Sequence, residues 1–199
     1  MNICILDTET GGITPDYSLL SLGYLLVDEE LKLLDFGYHI FSCPFYLVTA
    51  EAMRVNTLDL NFLEKYGETY QEVYDKLFYK FFKNGKITPC GWNPAFDVGF
   101  IKEHIFKGGD DKFSYRVLDL HSIVKWKQME NVSFGPDDLS SENIFNHFNV
   151  QPDEELTRNA YMKSDIPFDE GDLKIHNAFV DAQLVWEVLK RLKNGNSGQ

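Results

Sequence analysis

An α/β fold, one mixed five-stranded sheet with helices on both faces, is predicted by three observations. The first forty residues alternate short apolar runs with tight turns. The middle of the chain alternates helix-like and strand-like segments, and the chain closes on a long amphipathic helix. A meander of three antiparallel strands followed by two parallel strands satisfies that order, with the helices covering both faces. A length of 199 residues supports one substantial core and is marginal for two. Residues 1–194 are therefore read as one domain and 195–199 as a flexible polar tail.

The elements follow from local chemistry. Ile3-Cys4-Ile5-Leu6 leads into Asp7-Thr8-Glu9-Thr10-Gly11-Gly12 and reads as the first strand, with glycines where the chain must turn. Residues 18–27 and 32–40 read as the next two strands, joined at Asp28-Glu29-Glu30, a connection short enough for an antiparallel pair. Thr69-Tyr70-Gln71-Glu72 matches a capping box. Tyr70, Val73, Tyr74, Leu77, Phe78 and Phe81 then recur at helical spacing until Asn84-Gly85. That aromatic stripe reads as core packing against the sheet. Ile87-Thr88-Pro89-Cys90 is a short fourth strand. Helix is expected over 97–107, a fifth strand over 115–120, and helices over 121–129 and 140–148. The acidic stretch 151–173, with Pro152 and Pro167, reads as a long surface loop, and the last helix is expected over 177–193.

Composition narrows the partners. Hydrophobic content of 44% and aromatic content of 15% exclude a disordered chain. A net charge of −12 argues against a protein that holds a long polyanion through many phosphate contacts. It leaves room for one that grips a few terminal nucleotides and uses bound cations to offset local charge. The three cysteines are odd in number and widely spaced, so buried free thiols in a reducing compartment are expected. No basic leader and no membrane span is legible, which makes the expected location cytoplasmic.

The chemistry starts at Asp7 and Glu9. Side chains alternate along a strand, so both carboxylates leave the same face. Two such groups repel unless something positive lies between them, and a divalent cation, which prefers oxygen ligands, is the natural candidate. With 31 acidic residues in the chain, an Asp-x-Glu triplet arises by chance about once, so its value lies in its place at a strand end. Asp97 follows the fourth strand in Gly91-Trp92-Asn93-Pro94-Ala95-Phe96-Asp97. There it is either a site acid or an ordinary favourable charge in a helix first turn. Asp181, one turn into the last helix beside an apolar face, is costly unless paired or metal-bound. His176, just before that helix, is either a mobile base or a solvent-exposed cap. His39, His104, His121 and His147, and by default Asp119, read as structural.

Taken together, Asp7-Thr-Glu9-Thr-Gly-Gly, Asn93-x-x-Phe96-Asp97 and His176-Asn-Ala-Phe-Val-Asp181, in this order, resemble the three motifs of the DEDDh (DnaQ-like) 3′–5′ exonuclease family. Ser21-Leu22-Gly23 and Val55-Asn56 agree with it. Gly11 where many members carry threonine, Trp92 ahead of Asn93, and the length of 151–173 depart from it. The resemblance implies an RNase H-like fold and two Mg²⁺ or Mn²⁺ ions. Asp7, Glu9 and Asp181 would be direct ligands, Asp97 would hold the second ion through water, and His176 would be the general base. It also implies a single-stranded 3′ end as substrate, with DNA favoured over RNA. That end would be gripped by the amides of Thr10, Gly11 and Gly12, by Asn56 and Asn93, and by the wedges Ile13, Trp92 and Phe96. A homodimer or a polymerase would be the protein partner. Two alternatives stand beside this reading: an exonuclease confined to very short RNA, and a non-catalytic nucleic-acid or polymerase-binding module.

Overall fold

A computed structural model describes residues 2–82, 85–107, 113–131, 134–174 and 176–195. Strand β1 spans Asn2–Thr10, β2 Leu19–Val27 and β3 Leu33–Ile40; helices α1 (Ala50–Asn56), α2 (Leu60–Tyr66) and α3 (Tyr70–Phe82) follow. Then come β4 (Ile87–Gly91), α4 (Pro94–Ile101) running on into a π-helical turn (Lys102–Phe106), and β5 (Leu118–Asp119). The chain finishes with α5 (Leu120–Glu130), α6 (Ser141–His147), α7 (Glu154–Lys163), a 3₁₀ turn (Glu170–Leu173) and α8 (Ala178–Lys193).

The sheet order is β3-β2-β1-β4-β5, with β1 antiparallel to β2, β2 antiparallel to β3, and β4 parallel to both β1 and β5. This is the predicted mixed sheet. Strand β2 is buried along its whole length, as a strand covered on both faces must be. Along β1 the two-residue alternation sends Ile3 and Ile5 into one core and Cys4 and Leu6 into the other. The first core is roofed by α5 to α8, the second by α3 and α4. Cys4 and Cys90 are buried free thiols, and burial raises both, Cys90 to about 12.

The capping box at Thr69 forms as expected: Glu72 N–H donates to Thr69 Oγ1, and the Glu72 carboxylate accepts the Thr69 N–H. The expected helix end at Asn84 and the tail residues 196–199 lie outside the described residues, as do the side chains of Phe78 and Phe81.

Four expectations change. Helices α1 and α2 occupy a stretch where none was expected. Helix α4 starts at Pro94 rather than Asp97, because proline suits the first helical position and Asn93 turns the chain with left-handed φ 57. The fifth strand shrinks to two residues. Ser114 Oγ takes the Arg116 N–H, and Asp119 leaves the ladder at once to cap α5 through His121 N–H. Most importantly, 151–173 is not a loop. Asp153 caps α7 by accepting from Leu156 N–H, and Thr157, Ala160 and Tyr161 are buried at helical spacing. A threonine in that inner face masks the periodicity. Its hydroxyl is satisfied by Asp153 O and by the Gln183 side chain on α8.

Candidate active site

The acids meet at the C-terminal end of β1. Asp7 and Glu9 continue the face of Ile3 and Ile5, towards α8, and the β1–β2 register shifts just after Glu9. Such bulges re-aim side chains at sheet margins. Helix α8 begins over β2 at Gly23, the partner of Asp7. A Cβ on Gly23 would fall 2.3 Å from Phe179 N and 2.4 Å from the Ala178 carbonyl. Only glycine lets α8 approach this closely, and that approach brings Asp181 to the strand. Single carboxylate oxygens of Asp7, Glu9 and Asp181 lie within 4.8 Å of one another.

Asp97 stands apart from this trio. Thr8 points to the opposite face of β1, towards α4, and its Oγ1 donates to Asp97 Oδ1 at 2.7 Å. Asp97 is only 3% exposed. It is therefore beside the cluster, within reach of Asp7's field, but outside the set of close ligand oxygens.

The electrostatics follow from crowding four acids together, Glu9 and Asp97 buried and Asp7 and Asp181 half-buried. Asp7 is pushed well above the usual carboxylate range by burial and then by the charges of Asp97, Asp181 and Glu9. Burial, then Asp181 and Asp97, does the same to Glu9. Burial lifts Asp97 to about 7 against the opposing hydrogen bond from Thr8, and lifts Asp181 to about 7 against the His176 N–H. One further observation tests whether a cation suits these residues. Asp181 Oδ2 accepts the His176 N–H at 3.0 Å, whereas Oδ1 is buried with no hydrogen-bond partner. A buried carboxylate oxygen left in this state, facing two other carboxylates, fits a hard divalent cation.

His176 is exposed, with left-handed φ 63, and borders two adjoining spaces. One is a pocket of about 170 Å³ that holds the acid trio, walled by Trp92, Ser141, Phe145 and Val185. The other is a cleft of about 590 Å³ with Tyr38, Ile40, Leu58 and Phe62 on its apolar side and Asn56, Asp172 and Lys174 among its polar groups.

Of the expected substrate contacts, Trp92 lines the acid pocket, edge-on to His121 and Phe145. Ile13 is 84% exposed, as a wedge requires. Phe96 instead packs against Phe100 in the α3–α4 core. Asn56 is buried and donates through Nδ2 to Thr10 O, which ties α1 to the end of β1 while it also borders the large cleft. Asn93 is exposed, its N–H held by Asp119 Oδ1.

Solved structures share this architecture. The zinc-bound form of E. coli exonuclease I in complex with single-stranded DNA is 15% identical, with a TM-score of 0.73 over 98% of this chain and 40% of that one. A product-bound exonuclease I is 14% identical with a TM-score of 0.66, over 97% of this chain and 43% of that one. The exonuclease I of Methylocaldum szegediense is 12% identical with a TM-score of 0.65, over 97% and 40%. The fold is RNase H-like. No protein-family model and no curated protein matches the sequence. The chain spans 40–43% of the length of those exonucleases, and at such identities the likeness is one of fold.

Of the amide cradle expected at Thr10, Gly11 and Gly12, one donor is already committed elsewhere. Gly11 and Gly12 are buried, and the Gly11 N–H is committed to Ser18 O at 2.8 Å. Neither glycine has positive φ. Gly11 is small because a Cβ would sit 2.3 Å from Leu47 O. Thr10 Oγ1 donates to Gly12 O. Sequence reading missed Thr8, Ser141, Phe145 and Val185. Thr8 alone left a signal, since alternation along β1 aims it away from Asp7 and Glu9. The others reach the pocket only through long-range packing.

Proposed function

We propose that this chain is a metal-dependent 3′–5′ exonuclease that removes nucleoside monophosphates from the 3′ ends of single-stranded DNA. The observation that carries the reading is the trio of close carboxylate oxygens from β1 and α8, with an orphaned Asp181 oxygen among them and Asp97 one hydrogen bond behind. The exonuclease I structures in complex with oligonucleotides support it through the shared fold.

Asp7, Glu9 and Asp181 would hold the cations directly, and Asp97 would act on the second. Bound Mg²⁺ or Mn²⁺, two ions, would supply a nucleophilic water and charge stabilisation for the leaving 3′ oxygen. His176 takes the proton of the attacking water, its backbone being held by Asp181. The cleft beside His176 is of a size to receive the terminal nucleoside, and Trp92 and Ile13 supply apolar surface for bases. Stacking is worth roughly 1–3 kcal/mol per base, enough to hold an end without a basic groove, which accommodates the net charge of −12.

The test is digestion of matched DNA and RNA oligomers labelled at either end, with Mg²⁺ and with chelator. Metal-dependent release of 3′ mononucleotides, faster on single-stranded DNA, is expected. No turnover on any oligomer would return the chain to the class of binding modules. Activity that stops beyond two or three nucleotides would make it an enzyme of short fragments.

A further inference from the structure

Helix α7 and the 3₁₀ turn come from the stretch that the sequence marks as longer than an exonuclease core needs. Tyr161 on α7 is 3% exposed and stacks on Tyr38 of β3 with ring centroids 4.7 Å apart. Ser164, one turn along, donates its hydroxyl to Tyr38 O, and Phe168 meets the Tyr161 ring edge-on at 5.3 Å. Tyr161 also borders the large cleft beside His176. Its hydroxyl receives a hydrogen bond from Asn177 Nδ2 at 2.6 Å and also bonds the Asp172 carboxyl.

Asn177 is the residue next to His176, and every polar atom of its side chain is engaged. Oδ1 caps α8 by accepting from Phe179 N–H at 3.1 Å and Val180 N–H at 3.4 Å. Nδ2 donates to Tyr161 and, at 3.1 Å, to Asp172 O of the 3₁₀ turn. On its other side His176 gives its own N–H to Asp181 Oδ2. Its left-handed backbone, costly for a residue with a Cβ, is thus imposed from both sides.

We propose that Tyr161 is a positioning residue for His176: its hydroxyl, through Asn177, sets the histidine backbone and so aims the imidazole at the acid pocket. The inference rests on the exonuclease reading given above. It makes α7 a brace for catalysis rather than a surface decoration.

Tyr161→Phe keeps the stacked ring and removes only the hydroxyl. Asn177→Ser keeps a side-chain oxygen to cap α8 and removes the amide donor without adding charge. Each variant is expected to lower kcat about 10- to 100-fold, since small misplacements of a catalytic group cost that much, while half-saturation by Mg²⁺ stays within about twofold. In a His176→Ala background Tyr161→Phe should cause no further loss, because the group it aims is gone. Either variant at wild-type kcat, or a Tyr161→Phe loss that persists undiminished in the His176→Ala background, overturns the proposal. Absence of metal-dependent turnover in the wild-type chain would instead overturn the underlying function. The ¹⁵N-labelled imidazole of His176 gives a readout apart from activity: one sharp set of resonances in the wild type should broaden or double in Tyr161→Phe, and an unchanged spectrum counts against the brace.

Discussion

Replacing Asp7 by asparagine should make the metal-free protein more stable and the enzyme inactive. The oxygens of Asp7, Glu9 and Asp181 lie within 4.8 Å of one another. At that spacing one pair of unit charges repels by about 3.5 kcal/mol for an effective dielectric of ~20, and Asp7 faces two such partners. Burial raises all four carboxyls, Asp97 and Asp181 to about 7, and the neighbouring charges raise Asp7 and Glu9 further, so protonation relieves the cost at low pH. The sign follows by linkage. Groups with a raised folded-state pKa favour folding below their unfolded pKa near 4, and that contribution is lost as pH rises through about 7.

Urea unfolding in chelator should therefore show the wild type losing on the order of 3 kcal/mol between pH 5 and pH 8. Asp7→Asn should flatten that slope and gain about 2–3 kcal/mol over wild type at pH 8, with little difference at pH 5. Millimolar Mg²⁺ should reverse the order at pH 8, stabilising the wild type by mass action and leaving the variant unmoved. A variant no more stable than wild type at pH 8, or a wild-type stability independent of pH and Mg²⁺, would refute the cation-cage argument.

Three further outcomes are expected. His176→Ala should lose ~10²–10⁴ in kcat, read by release of labelled mononucleotide, and full turnover would remove it from the mechanism. Gly23→Ala forces a methyl into the backbone of Phe179 and Ala178. It should cost about 1–3 kcal/mol or more in denaturant unfolding and weaken Mg²⁺ binding by calorimetry, since it pushes Asp181 away from β1; unchanged Mg²⁺ affinity would contradict that placement. Trp92→Ala should raise KM for single-stranded DNA by up to the ~1–3 kcal/mol that one stacked base is worth and leave Mg²⁺ half-saturation alone; an unaltered KM would take the indole out of substrate contact.

Much of this architecture is legible before folding because its signals are local. Alternation in β1, the capping box at Thr69 and the amphipathic run of α8 each depend on residues a few positions apart, and each forms as read. Where the reading failed, a tertiary contact had replaced the local signal. Helix α7 hides because its inner face includes Thr157, whose hydroxyl becomes tolerable only once Gln183 reaches it from α8. The fifth strand is short because Ser114 holds the Arg116 amide ahead of it and Asp119 is drawn to the amides of Asn93 and His121. Gly11 looks like an anion cradle in sequence and is instead a contact surface for Leu47.

By itself the sequence determined which acids the chain possesses, on which face of β1 two of them lie, and that a mixed sheet with helices on both faces would carry them. Backbone alternation and helical periodicity demand no more than neighbours. Only the tertiary structure decided that Asp181 joins that pair while Asp97 stays behind Thr8, and that His176 is braced through α7. Those distances are closed by segments far apart in the chain, through a glycine's missing side chain and a buried tyrosine hydroxyl, and no local pattern encodes them.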